Sequence, residues 1–188
     1  MSLHLAHKFL IGSIFSAISI ACAVVVDYEI HGVYDRTGLP ISVLWQIPQF
    51  FFIGAGEIFA VSAAYEAAFL IAPKNLKALS SATNIFLIGG LPQFISTAIL
   101  SACTTLAFTN AAGSQNLETL ASYSTAHVYL YFVVLLAIAV FGVIVNALPI
   151  TRRFLTRTLA KAEEANDLTA AAVAVSYTHL TLPTKRIV

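Results

Sequence analysis

Residues 44–72 read LWQIPQFFFIGAGEIFAVSAAYEAAFLIA, a stretch whose only charged side chains are Glu57 and Glu66. A helix needs about 20 mainly apolar residues to cross the hydrocarbon core of a bilayer, and this stretch exceeds that length. It is also much longer than an ordinary β-strand, which has about 5 or 6 residues. The stretch therefore predicts a membrane-spanning α-helix with a carboxylate near its middle.

Three further stretches are equally apolar and carry no charge: residues 9–26, 79–108 and 128–150. The whole chain of 188 residues is 59% hydrophobic and 10% charged, whereas soluble domains are about 45–50% apolar and about 25% charged. The alternating pattern of a membrane β-barrel is absent from these stretches. The sequence therefore predicts an all-α polytopic membrane protein with four transmembrane helices.

Basic residues are distributed unevenly among the segments that separate these spans. Residues 1–8, 73–78 and 151–175 hold seven of them, whereas residues 27–43 and 109–127 hold one, Arg36. Because basic loops remain on the cytoplasmic side, the first three segments and hence both termini are predicted to be cytoplasmic, and the other two are predicted to be outer loops. Alternatively, residues 9–26 could be the apolar region of a cleaved signal peptide, with Lys8 as its basic start.

Composition and motifs exclude several classes of function. The net charge is only +1, and no basic run is long enough to follow a phosphate backbone, so a nucleic-acid partner is not expected. No phosphate-binding loop, HExxH or GxSxG motif occurs, so we expect neither an enzyme nor catalytic residues, a metal site or a cofactor. The histidines fall in predicted loops or at span ends, which does not favour an intramembrane proton relay.

Glu57 is the residue most indicative of function. An ionisable group at the centre of a spanning helix costs about 2.5–3.5 kcal/mol on the insertion scale, so it must face a water-filled cavity or a partner cation. We interpret Glu57 as part of a substrate, ion or proton site. The alternative is a structural glutamate that is paired or protonated within the helix bundle.

Three polar residues are weaker candidates for lining a cavity near Glu57. On an ideal helix Gln46 lies about 20° around the axis from Glu57, and Gln49 lies near the same face. Together they would form a polar track that leads inward from the outer end of the span. Asn84, in the third span, is the other candidate, although a buried amide also commonly joins helices through hydrogen bonds.

Small residues mark a helix-packing face on the same span. Gly56, Ala60, Ala64 and Ala68 recur every four residues, a spacing that allows another helix to approach closely in lipid. Glu66 lies on the side of the helix opposite Glu57. We expect it to extend toward the cytoplasmic surface or to pair with Lys74 or Lys77 rather than to bind substrate.

The stretch from Trp45 to Ala60 resembles the tenth helix of the proton-dependent oligopeptide transporters, which belong to the twelve-helix major facilitator superfamily. The likeness continues through Glu66 to Ala72-Pro73-Lys74 and Lys77, and the residues of this stretch resemble those of fungal members of the family. The other spans are then similar to helices nine, eleven and twelve, so the chain resembles a C-terminal fragment of such a transporter.

This resemblance implies a function that composition alone does not give. It implies that Glu57 contacts the amino terminus of a bound peptide, and that the whole protein imports di- or tripeptides with protons across the plasma membrane. The family's proton-coupling glutamates lie on a first helix that these residues do not match. We therefore expect the isolated chain to insert into the lipid bilayer but to be inactive without the missing N-terminal transporter helices.

Two further interpretations concern an alternative function of the chain and the nature of its last residues. The alternative function is that of a complete four-span protein with a structural or scaffolding role in the membrane. Residues 176–188, SYTHLTLPTKRIV, resemble translated read-through of a sequencing adaptor and contrast with the alanine-rich stretch before them. We expect them to be a sequencing or assembly artefact rather than a functional tail.

Overall fold

The computed structural model describes residues 4–109, 113, 115 and 117–181. For residues 74, 105–106, 120 and 169–181 it describes the backbone only. This part of the chain is almost entirely helical. Its α-helices are α1 (Leu5–Thr37), α2 (Ile47–Ile71), α3 (Lys77–Ile85), α4 (Leu91–Ala107), α5 (Leu120–Ser124), α6 (Tyr129–Ala147) and α7 (Pro149–Thr181). Short 3₁₀ turns precede α2 and α3, and a π-helical segment joins α3 to α4.

Within the described residues, four helical stretches are long and apolar enough to cross a membrane: Leu5–Thr37, Val43–Ile71, Lys77–Thr104 and Tyr129–Ala147. They coincide with the four stretches singled out in the sequence, so the prediction of an all-α polytopic membrane fold is confirmed. The most apolar windows of the third and fourth stretches contain no buried residue within the described part of the chain. The side chains of these windows therefore all remain at least partly exposed, although α6 also packs against α1.

The first helix extends well beyond the predicted span of residues 9–26. It continues without interruption to Thr37, so residues 27–37 are helical rather than part of an outer loop. Charged residues such as Asp27 and Glu29 end the apolar run but do not end the helix, because hydropathy reports what lipid tolerates and not which backbone conformation continues. The helix stops at Gly38, whose φ of +67° is left-handed and whose N–H binds the Tyr34 carbonyl, a common glycine C-cap.

Helices α1 and α2 form an antiparallel pair. Ser19 Oγ donates to the Gln49 carbonyl over 2.9 Å near one end, and Lys8 forms an ion pair with Glu66 near the other. Among the described side chains, Glu66 therefore pairs with Lys8 and not with Lys77, while the other expected partner, Lys74, lies outside the described side chains. The antiparallel arrangement brings the start of α1 beside the second half of α2, while the ammonium of Lys77 lies 3.5 Å from the centre of the Phe69 ring.

The third span is not a regular α-helix. Residues Phe86–Gly90 form a π-helical segment in which the Leu91 N–H binds the Phe86 carbonyl, five residues back. Pro92 follows immediately in the first turn of α4, and a proline lacks the N–H that would continue the α-helical ladder. Such single π-helical turns are frequent at functional sites of other proteins.

The chain turns sharply between α6 and α7. Leu148 is extended, with ψ at 135°, as expected of a residue that precedes a proline, and Thr151 Oγ1 donates to the Val145 carbonyl over 2.7 Å. The expected tail of residues 151–175 is helical throughout. The helix also enters the segment interpreted as an artefact and ends at Thr181, and residues 182–188 lie outside the described part.

Candidate functional site

Glu57 lies in the interior of α2, about 15 Å along the axis from Ile47 at its first residue. Its side chain is exposed, and no hydrogen bond or ion pair joins it to another described residue. It projects about 100° around the helix from Gly56, which is buried against α1. The face that carries Glu57 is therefore not covered by the described helices.

The structure places the three amide candidates in different surroundings from Glu57. Gln46 ends the 3₁₀ turn before α2 and lines an 810 Å³ cavity with Tyr34, Thr119 and Tyr123. Because a 3₁₀ turn advances by 120° per residue instead of 100°, it shifts Gln46 from the ideal position on the helical wheel. Gln49 is half-buried, and its backbone carbonyl accepts the hydrogen bond from Ser19 of α1.

Asn84 belongs to a second, separate cavity of 380 Å³ between the end of α2 and α3. Its amide nitrogen is buried and has no hydrogen-bond partner among the described residues. Neither this cavity nor the one lined by Gln46 includes Glu57. Within the described chain, Glu57 therefore stands apart from all three amides.

The small residues of α2 meet two different neighbours. A Cβ added at Gly56 would lie 2.9 Å from Ser16 Oγ and 3.1 Å from the Gly12 carbonyl, so this position faces α1. Ala60 also faces α1, directly opposite Gly12. Ala68 instead lines the cavity beside α3, where its carbonyl accepts a hydrogen bond from Ser80 Oγ at 2.8 Å, and Ala64 is half-buried between these contacts.

The C-terminal half of α1 carries a polar cluster that the sequence analysis did not predict. Asp27 retains only 2% of its exposure, and one of its carboxylate oxygens accepts a hydrogen bond from the hydroxyl of Tyr123 in α5. Its other oxygen, Oδ2, has no hydrogen-bond partner among the described residues. The one available signal was the four-residue spacing of Asp27 and His31, which places both on one side of a helix if the helix continues past the apolar run.

His31 completes this cluster and corrects the placement of all histidines in loops or at span ends. It lies within α1, with Nδ1 2.8 Å from the Asp27 carbonyl oxygen and 3.8 Å from Asp27 Oδ2. Its Nε2 lies 3.2 Å from the Ala126 carbonyl oxygen. Both ring nitrogens of His31 thus lie within hydrogen-bonding distance of a backbone carbonyl oxygen. The cluster thus fastens the segment before α6 to α1.

Tyr123→Phe is expected to weaken the fold by about 1–3 kcal/mol, because the buried Asp27 carboxylate loses its phenol donor. Burial, and then the hydrogen bond and charge of Asp27, raise the pKa of Tyr123 above its ordinary value. A raised pKa stabilises the fold fully below the unfolded value of about 10 and loses this contribution as pH rises through the folded pKa. The cost of Tyr123→Phe should therefore shrink at strongly alkaline pH.

The measurement is unfolding of the chain in detergent micelles at pH 8 and above pH 10, for the parent and the variant. Tyr28→Phe is the matched control, because it makes the same chemical change at a side chain of α1 that is 74% exposed. Equal stabilities of Tyr123→Phe and Tyr28→Phe at pH 8 would contradict the role given to Tyr123.

Comparison with known families adds a further finding. The sequence profile PTR2, described as the POT family, matches residues 1–118. This match includes α1, α2 and the third span, and therefore Glu57, the Lys8–Glu66 pair and the helix seam between them. No solved structure matches the chain significantly.

Individual relatives come from the plant Arabidopsis thaliana. Protein NRT1/ PTR FAMILY 8.1 is 33% identical over 95 residues, which are 49% of this chain and 16% of the relative. Protein NRT1/ PTR FAMILY 8.3 is 35% identical over 101 residues, 50% of this chain and 17% of the relative. The chain thus matches about a sixth of the length of these relatives, and its expected likeness to fungal members stays a prediction.

Proposed function

The chain belongs to the POT family, and we propose that it forms helices nine to twelve of a secondary active transporter that imports di- or tripeptides together with protons. The observation that carries the proposal is the position of Glu57. A carboxylate in the interior of a spanning helix, on a face that the described helices leave open, requires a partner that the described residues do not supply.

Energetics support a binding role for this carboxylate. Exposure of an ionised glutamate to hydrocarbon at the helix centre costs about 2.5–3.5 kcal/mol on the insertion scale. That cost disappears if the open face borders a water-filled cavity between two halves of a transporter. When a bound peptide displaces that water, the carboxylate attracts its ammonium group more strongly, because the local dielectric falls.

The sign of the charge favours peptides over anions as substrates. A glutamate carboxylate stabilises the positively charged amino terminus of a peptide and repels nitrate, a solute that some plant members of the family carry. The resemblance of residues 45–60 to the tenth helix supports the same assignment. The proton gradient would supply the driving force, and no cofactor is needed.

The number of helices supports participation in a larger assembly. Major facilitator transporters contain two halves of six helices, each built from three-helix repeats, with substrate bound near the midplane between them. The four spans found in the described residues would provide one repeat and one further helix. The missing N-terminal helices, small peptides and the lipid bilayer are therefore its proposed partners.

Charge distribution supports a location for the ends of the chain. The basic segments before α1, between α2 and α3, and after α6 would lie in the cytoplasm under the positive-inside rule. We propose that both termini are cytoplasmic and that the transporter resides in the plasma membrane.

The proposal is tested by uptake of a labelled dipeptide into vesicles that contain the full transporter with these helices. An inward proton gradient should drive saturable uptake, unlabelled dipeptide should compete, and its N-acetylated form should compete poorly because it lacks the ammonium group. The 188-residue chain alone should insert and show no uptake. Competition by nitrate but not by dipeptide would overturn the peptide assignment, and uptake by the chain alone would overturn the requirement for further helices.

A further inference from the structure

Helix α7 presents an exposed face that combines apolar and basic side chains directly after the fourth span. Its members share one side of the helix and all are exposed: Ile150, Arg153, Phe154, Arg157 and Lys161. We call them the basic face. On a helical wheel they fall within an arc of about 100°. Ile150 and Phe154 each retain 71% of their exposure, so these large apolar side chains are not packed against the described chain.

The other side of α7 packs against the bundle and fixes the direction of the basic face. Leu159 and Glu163 line a cavity together with Phe69 and Leu70 at the end of α2. The chain turns at Leu148, the extended residue between α6 and α7. Helix α7 therefore runs from the end of α6 across the end of α2, which is along the surface where both spans leave the bilayer.

The basic face also contains a recess with apolar walls. A groove of 610 Å³ is lined by Leu148, Pro149, Ile150, Arg153, Phe154 and Arg157. Two guanidinium groups thus accompany an apolar groove at the level where lipid headgroups begin. Neither forms an ion pair with a carboxylate in the described part of the chain.

From this arrangement we infer that the first three turns of α7 bind anionic phospholipid headgroups. Ile150 and Phe154 enter the boundary between headgroups and acyl chains, while Arg153, Arg157 and Lys161 contact lipid phosphates and the anionic headgroups. An amphipathic helix with cations beside its apolar face binds a membrane surface in this way. The acidic residues Glu163, Glu164 and Asp167 follow immediately, and their repulsion from anionic lipid confines the contact to the segment that ends at Lys161.

This inference does not depend on peptide transport or on which side of the membrane α7 occupies. It requires only that α6 spans the bilayer and that α7 begins where the span ends. Each near-surface cation adds a preference of about fivefold for an anionic over a neutral surface. Removal of two cations from the basic face should therefore reduce the preference by at least about fivefold.

The experiment places a fluorescent reporter on the basic face of the 188-residue chain. Trp45 is the single tryptophan of the sequence, so the background W45F/F154W moves the fluorophore to the groove. The chain is reconstituted in phosphatidylcholine vesicles with a minor fraction of brominated lipid, either phosphatidylserine or phosphatidylcholine. We expect brominated phosphatidylserine to quench the reporter at a several-fold lower mole fraction than brominated phosphatidylcholine.

Two variants decide whether the basic face is responsible. Arg153→Gln/Arg157→Gln should abolish most of the difference between the two quenchers. The control Arg36→Gln/Arg152→Gln also removes two positive charges, but it leaves the basic face intact. Arg36 lies at the other end of the bundle, and Arg152 is half-buried on the inner side of α7. This control should retain the preference.

Three outcomes would overturn the inference. Equal quenching by both lipids in the parent would mean that the face has no preference for anionic headgroups. Quenching by neither lipid would mean that the face is turned to water or covered by another protein segment. An equal loss in the two double variants would mean that overall charge, not the basic face, sets the preference.

Discussion

Glu57→Gln in the full transporter is expected to reduce proton-driven peptide uptake by at least about thirtyfold. Removal of one partner from a desolvated charge pair costs about 2–5 kcal/mol, and a glutamine provides no charge to hold the ammonium of the peptide. The substitution preserves the size of the side chain and removes an ionisable group from the interior of a spanning helix. Insertion and surface abundance should therefore be unchanged. The measurement is the initial rate of uptake, normalised to the amount of protein at the surface.

Glu66→Gln is the matched control for this experiment. It makes the same chemical change on the same helix, but Glu66 pairs with Lys8 near the end of the spans and is 42% exposed. An ion pair so accessible to solvent contributes little, about 0–1 kcal/mol, so uptake should remain close to the parent level.

Competition by a blocked peptide separates binding from proton coupling. If Glu57 holds the amino terminus, dipeptide and N-acetyl dipeptide should compete equally poorly in the Glu57→Gln variant, whereas the parent should distinguish them. Parent-level uptake by Glu57→Gln, at a normal surface level, would refute the role of Glu57. Such a result would leave family membership intact.

The second large effect is expected at the seam between α1 and α2. A Cβ added at Gly12 would lie 2.8 Å from both the Cβ and the backbone nitrogen of Ala60. Since the backbone of α2 cannot move aside like a flexible side chain, Gly12→Ala must push the two helices apart. We expect a loss of about 1–3 kcal/mol in the free energy of unfolding, as found for overpacked cores.

Gly54→Ala provides the comparison for Gly12→Ala. Gly54 also lies in a spanning helix, but nothing is within 4 Å of its added Cβ. Alanine there should be neutral or slightly stabilising, because it restricts a helical backbone at no steric cost. The measurement is unfolding of the chain in detergent micelles, followed by circular dichroism.

A compensating change at Ala60 tests the steric mechanism. Ala60→Gly removes the Cβ that meets the added methyl group but not the backbone nitrogen, so the double variant should recover part of the loss. Equal stabilities of Gly12→Ala and Gly54→Ala would refute the close approach of α1 and α2. No recovery in the double variant would place the clash at the backbone of α2.

Local composition was sufficient for the general architecture and for singling out one candidate functional residue. Each spanning stretch contains a mainly apolar window of 18 residues, and the cost of transferring a residue to lipid depends on that residue more than on its distant neighbours. For the same reason Glu57 stood out, since a carboxylate in an apolar run is unfavourable wherever the helix packs. The π-helical segment in the third span also has a local cause, since Pro92 follows the pair Gly89-Gly90.

Only the tertiary structure decided which residues meet. Lys8 and Glu66 are 58 positions apart, and Asp27 and Tyr123 are 96 positions apart, so no local pattern could pair them. The antiparallel packing of α1 on α2 placed Lys8 beside Glu66. The folding of α5 onto α1 likewise buried Asp27, which by sequence was merely the first charge after a span. Hydropathy is summed along the chain, whereas burial and pairing depend on which helix faces approach, and that is fixed by steric fit such as Gly12 against Ala60.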